Sequence, residues 1–170
     1  TIPKGSFEEK PIVPPVKVET SKVDGKWRLL VDGQELYVKG AACNNFYAEA
    51  ADFGANVVRA YGVSDKSKAI LDAAHEKGLY VNFGLYVKRE TDGFDYNNAA
   101  AVKAQFDEMK ATVERFKDHP ALLVWSIGNE AEASYTNLKL WDAINDIAKM
   151  IHETDPNHPT TTTLASSNVN

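Results

Sequence analysis

From residue 37 onward, short runs rich in β-branched and aromatic residues alternate with stretches whose apolar residues recur every three or four positions. This alternation asks for strands covered by helices, and therefore for parallel β/α units. The expected strands begin near residues 37, 56, 79, 121 and 160. Residues 37–42 and 56–61 form the first two, linked by a short helix over 47–53 that Gly54 stops. Asp65 is suited to cap a helix that carries Ile70, Leu71 and Ala74 inward and ends at Gly78. Residues 79–83 make the third strand, and a polar loop over 88–98 follows, longer than the usual connection of about two to six residues. Asn98 is placed to cap a helix whose Val102, Phe106, Met109, Val113 and Phe116 step by four and three, one stripe facing a sheet. His119-Pro120 ends it. Residues 121–127 are apolar on both faces, as a parallel strand covered on each side requires. Leu138, Trp141, Ile144, Ile147 and Ile151 mark the next helix, Asp155-Pro156 stops it, and residues 160–164 read as a fifth strand.

Five strands and four helices of a right-handed α/β wind narrow the choice of fold. Neither a GxGxxG nor a GxxxxGK[ST] string follows any strand, so nucleotide-binding sheets lose support and no cofactor is expected. A (β/α)8 TIM barrel is the better template, but it usually needs about 250 residues. The 170 residues here hold slightly more than half of one, a partial barrel of about five β/α units. A short antiparallel meander precedes it, over residues 16–20, 26–31 and 35–39, with Asp24-Gly25 and Asp32-Gly33 at its tight turns. Residues 1–35 are therefore expected to form an extended lead-in and hairpin, and residues 36–170 the amino-terminal part of the barrel. The lead-in carries Pro3, Pro11, Pro14 and Pro15 and reads as a trimmed leader, and the stretch after Leu164 does not look like a natural end.

Charge and cysteine usage exclude several function classes. The net charge is −5, with no Lys/Arg cluster longer than two, which argues against a nucleic-acid or anionic-membrane surface. No apolar run approaches the roughly 18 residues of a membrane span. Cys43 is the only cysteine, so no internal disulfide and no cysteine-based zinc site can form. His75, His119, His152 and His158 fall on helices or helix ends at no metal spacing, and a structural role is expected for each.

In such barrels the chemistry sits at the carboxyl ends of the strands. The residues found there are Asn44 after the first, Arg59 and Tyr61 in and after the second, Tyr86 after the third, and Asn129-Glu130 after the fourth. A carboxyl between an apolar strand and an open cleft can be kept protonated and act as a general acid. Trp125 is expected in the core, on one strand face with Leu123 and Ile127 by two-residue alternation.

The string from His119 to Glu130, HPALLVWSIGNE, resembles the fourth-strand signature of the clan A glycoside hydrolases and is most similar to that of glycoside hydrolase family 2, which includes β-galactosidases, β-glucuronidases and β-mannosidases. Residues 32–40, 55–61 and 73–81 resemble the same family's first strand, second strand and helix-to-third-strand passage, in the same order. The resemblance implies a retaining β-glycosidase acting on an oligosaccharide or polysaccharide. Glu130 matches the acid/base, Asn129 the residue that hydrogen-bonds the sugar 2-hydroxyl, and Arg59 the second-strand arginine that supports the nucleophile. Retaining hydrolysis needs a second carboxylate about 5 to 5.5 Å from the first, which in this superfamily comes from a seventh strand outside this sequence. Glu132, Glu90, Asp92 and Asp95 are the other acids near the strand ends. The string after Arg59, Ala60-Tyr61-Gly62-Val63, departs from the Ser/Thr-His-Pro-like string of many members, which speaks against their galactosidase-like or glucuronidase-like specificity. Alternatives are a non-catalytic carbohydrate-binding half-barrel, or one that closes on a second copy through its open edges. A secreted or periplasmic location is favoured only by analogy.

Overall fold

The computed structural model describes residues 15–43 and 45–165. The proline-rich lead-in over 1–14 and the stretch over 166–170 lie outside the described residues. A three-stranded antiparallel sheet comes first, β1 (Val18–Val23), β2 (Lys26–Val31) and β3 (Gln34–Glu35). Asp24-Gly25 and Asp32-Gly33 all have positive φ, the paired left-handed geometry that lets a two-residue turn follow the twist of its strands.

A five-stranded parallel sheet follows, with strands in sequence order: β4 (Gly40–Ala42), β5 (Val57–Ala60), β6 (Tyr80–Leu85), β7 (Leu122–Asn129) and β8 (Thr160–Thr163). Between them run α1 (Tyr47–Asp52), α2 (Ser67–Glu76), α3 (Ala99–Phe116) and α4 (Lys139–Thr154). The five expected strands and four expected helices are all present, with shifted ends. Residues 37–39 do not join the first parallel strand because the Asn56 side chain takes their backbone groups, accepting from Lys39 N–H at 2.7 Å and donating to Tyr37 C=O at 2.9 Å. Asp65 does not cap α2; Ser64 and Ser67 exchange bonds there instead, Ser64 N–H donating to Ser67 Oγ at 2.9 Å. Asn98 does cap α3, its Oδ1 accepting from Ala101 N–H. Leu138 is exposed just ahead of α4, and Leu140 takes the inward position.

The main core lies on one face of the sheet. Val58, Ala60, Val81, Phe83, Leu85, Trp125 and Ile127 pack there against buried residues of α2, α3 and α4, and the Phe83 ring meets Phe116 and Trp125 edge-on, each at 5.5 Å between centroids. By strand alternation the opposite face carries Val57, Arg59, Asn82, Gly84, Val124 and Ser126. The hairpin closes the amino-terminal end of that face: Val18 and Val31 cluster with Val57 and Leu123, and Val18 N–H donates to Asn157 C=O at 2.7 Å.

Leu123 is thus on the opposite face from Trp125 and Ile127, contrary to expectation. The cause is a bulge. Val81 pairs with Leu122 but Asn82 with Val124, leaving Leu123 as the extra residue and inverting the alternation after it. A second shift follows, since Ser126 pairs with Thr161 but Asn129 with Thr163. Together the two bulges put Val124, Ser126 and Asn129 on the same face.

Gly84 is held to glycine by its neighbours. A Cβ added there would lie 2.6 Å from the carbonyl oxygens of both Ala60 and Tyr61, backbone that cannot rotate away. Gly84→Ala should therefore destabilise the domain by about 3 kcal/mol, at the upper end of ordinary overpacking, read as a lowered denaturant midpoint. A midpoint equal to wild type would mean that β5 yields more freely than its pairing implies.

Candidate active site at the carboxyl ends of the parallel strands

Three of the expected residues, Arg59, Tyr61 and Asn129, meet at the carboxyl end of the sheet. Arg59 leaves the middle of β5 on the open face and reaches across β6. Its Nη2 donates to Asn129 Oδ1 at 2.7 Å and to Thr163 Oγ1 at 2.9 Å. The guanidinium lies over the Tyr61 ring, 4.5 Å from its centroid. Because a guanidinium only donates, Asn129 must turn its carbonyl oxygen toward Arg59, leaving its NH2 group free for an acceptor in the cleft. Arg59 is no ion-paired surface arginine: its bonds are to neutral groups, and its Nε has no partner among the described residues.

Glu130 follows at once and is exposed. Its backbone is left-handed, φ 52°, a conformation that costs a bulky residue free energy and is found preferentially where function demands it. One contact holds it, Glu130 N–H donating to Thr163 C=O at 2.8 Å, and Gly128 ahead of it is left-handed too, at φ 78°. Thr162 Oγ1 donates to the Ile127 carbonyl at 2.8 Å, satisfying a group that the bulge frees from the ladder.

Tyr86 stands at the end of β6 beside the loop that follows β5; a Cβ placed on Gly62 would lie 3.9 Å from its Cβ. Its hydroxyl donates to Asp92 Oδ2 at 2.6 Å, and this bond to a carboxylate raises the phenol above its ordinary range. Tyr86 and Tyr61 are each about half exposed, at 46%. Tyr86 makes no hydrogen bond to Arg59 or Asn129. Asn44 lies outside the described residues.

The neighbouring acids are all engaged elsewhere. Asp92 bonds Arg89 and Tyr86. Asp95 accepts from Asn97 N–H at 2.8 Å. Glu132 accepts from Ala165 N–H. Glu90 accepts from Thr136 N–H at 2.6 Å, Asn137 N–H at 3.1 Å and the Thr136 hydroxyl at 3.1 Å. These bonds, the Thr136 amide's foremost, hold its carboxyl below the usual carboxylate range. Glu90 therefore clamps the loop after β7, which carries Glu130, to the loop after β6. Its lowered value means that the clamp is complete above the ordinary carboxylate pKa and is lost as pH falls through the folded-state value. Glu90→Gln should speed amide hydrogen exchange at Thr136 and Asn137 at neutral pH and leave the protected amides of β6 unchanged; equal rates in both proteins at Thr136 would mean that the clamp does not hold the loop.

Three residues of this site lay outside the sequence expectations: Thr163, Asn82 and Ser126. Asn82 pairs in register with Arg59 and Ser126 with Gly84, and both face the open side. Asn82 Oδ1 and Ser126 Oγ are buried without partners among the described residues. Alternation along each strand could have found two of them: Asn82 lies between Val81 and Phe83, and Ser126 between Trp125 and Ile127, so each faces away from the core.

Comparison with known proteins agrees with this geometry. The profile of "Glycosyl hydrolases family 2, TIM barrel domain" matches residues 53–167. A β-galactosidase of Arthrobacter sp. (strain B7) is 33% identical in an alignment 92 residues long that covers 48% of this chain and 9% of that protein. Among solved structures, the β-D-glucuronidase of Dictyoglomus thermophilum superposes with a TM-score of 0.67 at 18% identity, over 91% of this chain and 29% of its own. The β-glucuronidase of Bifidobacterium dentium gives 0.69 at 17% identity, over 92% and 27%, and the family 2 β-galacturonidase of Eisenbergiella tayi gives 0.64 at 18%, over 88% and 28%. At these identities the structures speak for the fold alone. The chain spans less than a third of each of these relatives. The parallel sheet, its helices and the profile match together identify a partial (β/α)8 barrel, and the chain belongs to glycosyl hydrolase family 2, within the TIM barrel domain.

Proposed function

We propose that this chain carries the acid/base side of the active site of a retaining β-glycosidase, with the nucleophile supplied from outside these 170 residues. The observation that carries the proposal is the left-handed Asn129-Glu130 turn at the end of β7, with the Asn129 amide oriented by Arg59. In the first step a carboxylate nucleophile attacks the anomeric carbon while Glu130 gives its proton to the departing glycosidic oxygen. In the second, Glu130 takes a proton from the water that hydrolyses the glycosyl-enzyme ester, returning both groups to their starting state. Asn129 donates from its free NH2 to the sugar 2-hydroxyl oxygen and so orients that hydroxyl, whose own O–H becomes the stronger donor as positive charge grows at the neighbouring carbon.

The other acids near the strand ends support a nucleophile from elsewhere, because each already serves the loops. Arg59 supports it too: its unpartnered Nε–H is a donor awaiting an acceptor on the open face. Tyr61 and Tyr86, half exposed at the rim, offer ring faces on which a sugar can stack. The substrate class is a β-linked oligosaccharide or polysaccharide, and residues 1–35 serve as lead-in and hairpin to the barrel portion that follows.

The test is stereochemical. Proton NMR of the complete enzyme acting on aryl β-glycosides should show the β-anomer of the released sugar first, with the α-anomer growing in only by mutarotation. Early appearance of the α-anomer would overturn the retaining mechanism, and absence of turnover across a panel of β-glycosides would overturn the hydrolase assignment.

A further inference from the structure

We propose that Thr163 is a positioning residue of this site, fixing through one guanidinium the amide that reads the sugar 2-hydroxyl. The inference rests on the role proposed for Asn129.

Three observations converge on this threonine. Its hydroxyl accepts from the same Arg59 Nη2 that donates to Asn129 Oδ1, at 2.9 and 2.7 Å, so one nitrogen ties β5, β7 and β8 together. Its carbonyl accepts from Glu130 N–H and holds the left-handed turn. It pairs in register with Asn129 directly after the bulge, where backbone pairing is least able to define a side-chain direction. An arginine on β5 has several rotatable bonds with which to reach β7. With only the Asn129 contact its Nη2 could follow the amide wherever it turned. The Thr163 hydroxyl, on a β-branched side chain with few rotamers, gives Nη2 a second fixed point. A group that must form its best hydrogen bond in the transition state gains most from such placement, because small misplacements near a reacting centre cost large factors in rate.

The neighbouring threonine has a different task. Thr162 Oγ1 closes the bulge by bonding Ile127 C=O, so the run Thr161-Thr162-Thr163 divides structural from positioning work by one residue.

The experiment compares an aryl β-glycoside with its 2-deoxy analogue in the complete enzyme, using the ratio of kcat/KM values as the readout. Wild type should favour the 2-hydroxy substrate. Thr163→Val, which keeps the branched shape and removes only the hydroxyl, should lower that ratio about tenfold, with the 2-deoxy substrate little affected. Thr163→Ser, which keeps the acceptor, should restore most of it. Thr163→Ala serves the same purpose if valine is not tolerated. A merely structural role would lower both substrates alike and leave the ratio unchanged, and that result would overturn the proposal. Asn129→Ala separates the two levels of inference: if it collapses the ratio while the Thr163 variants leave it intact, only the positioning role fails. If Asn129→Ala also leaves the ratio intact, the role proposed for Asn129 fails first.

Discussion

Replacing Glu130 by Gln in the complete enzyme should slow hydrolysis of alkyl or sugar-linked glycosides by about a hundredfold to ten-thousandfold, the range of a lost general acid. Glycosides with a nitrophenolate-like leaving group should be far less affected in their first step, because such a group departs without a proton. The selectivity follows from position: Glu130 stands at the tip of β7, one residue beyond an asparagine whose amide is already oriented by Arg59. A second signature belongs to the same variant. Once the glycosyl-enzyme has formed, the missing base slows attack by water, and added azide, a nucleophile needing no deprotonation, should restore turnover of the activated substrate. Equal loss on good and poor leaving groups, without azide rescue, would show that Glu130 shapes the cleft and moves no proton. The exposed carboxyl and its strained backbone weigh against that outcome.

The largest expected effect on stability lies at the opposite end of the sheet. Asp155→Ala should cost about 3–5 kcal/mol, the usual penalty for removing one partner from a buried polar network. Asp155 is 1% exposed and accepts from the Trp125 indole N–H at 2.7 Å and from Asn157 N–H at 3.0 Å, while His158 Nδ1 lies 2.8 Å away. Burial alone would raise its pKa. The hydrogen bonds from His158 and Trp125 outweigh burial and hold the carboxyl below its usual range. A carboxylate with a depressed folded-state pKa stabilises fully above the unfolded value of about 3.9 and ceases to do so as pH falls through the folded value. Acid should therefore weaken wild type by a component that Asp155→Ala lacks. Denaturant unfolding followed by tryptophan fluorescence, at neutral pH and near pH 3, measures both. If the two proteins lose stability equally on acidification, the network does not supply the acid-sensitive component.

Much of this arrangement was legible in the sequence. The β/α alternation located each described parallel strand, because β7 leaves an apolar run, β5 and β8 leave runs of β-branched residues and an amphipathic helix leaves a stripe, and none of these depends on distant residues. Asp-Gly pairs located the hairpin turns because few residues tolerate positive φ. Legibility ended where distant elements meet. Nothing local distinguishes Thr163 from Thr160, Thr161 or Thr162; only pairing with β7 does. Asp65 had the right chemistry for a cap and lost to Ser64 and Ser67, whose mutual bonds close the turn one residue later. Leu123 departs from the expected face because alternation presumes an unbroken ladder, and a bulge is fixed by the partner strand.

The second bulge of β7 also sets a direction. By plain alternation Ser126 and Asn129, three residues apart, would face opposite sides; the second bulge supplies the odd residue that brings them together. Because Asn129 still stands opposite Thr163, the extra residue is taken up in a bend of the strand and not in its length. A lineage that lost Gly128 could still pair β7 with β8 and keep an asparagine on the open side, yet it would lose the left-handed step at φ 78° that leads into Glu130. The direction in which this end of the sheet presents its glutamate is thus encoded as a residue count in a strand, and a single-codon deletion can change it while every residue of the proposed chemistry stays intact.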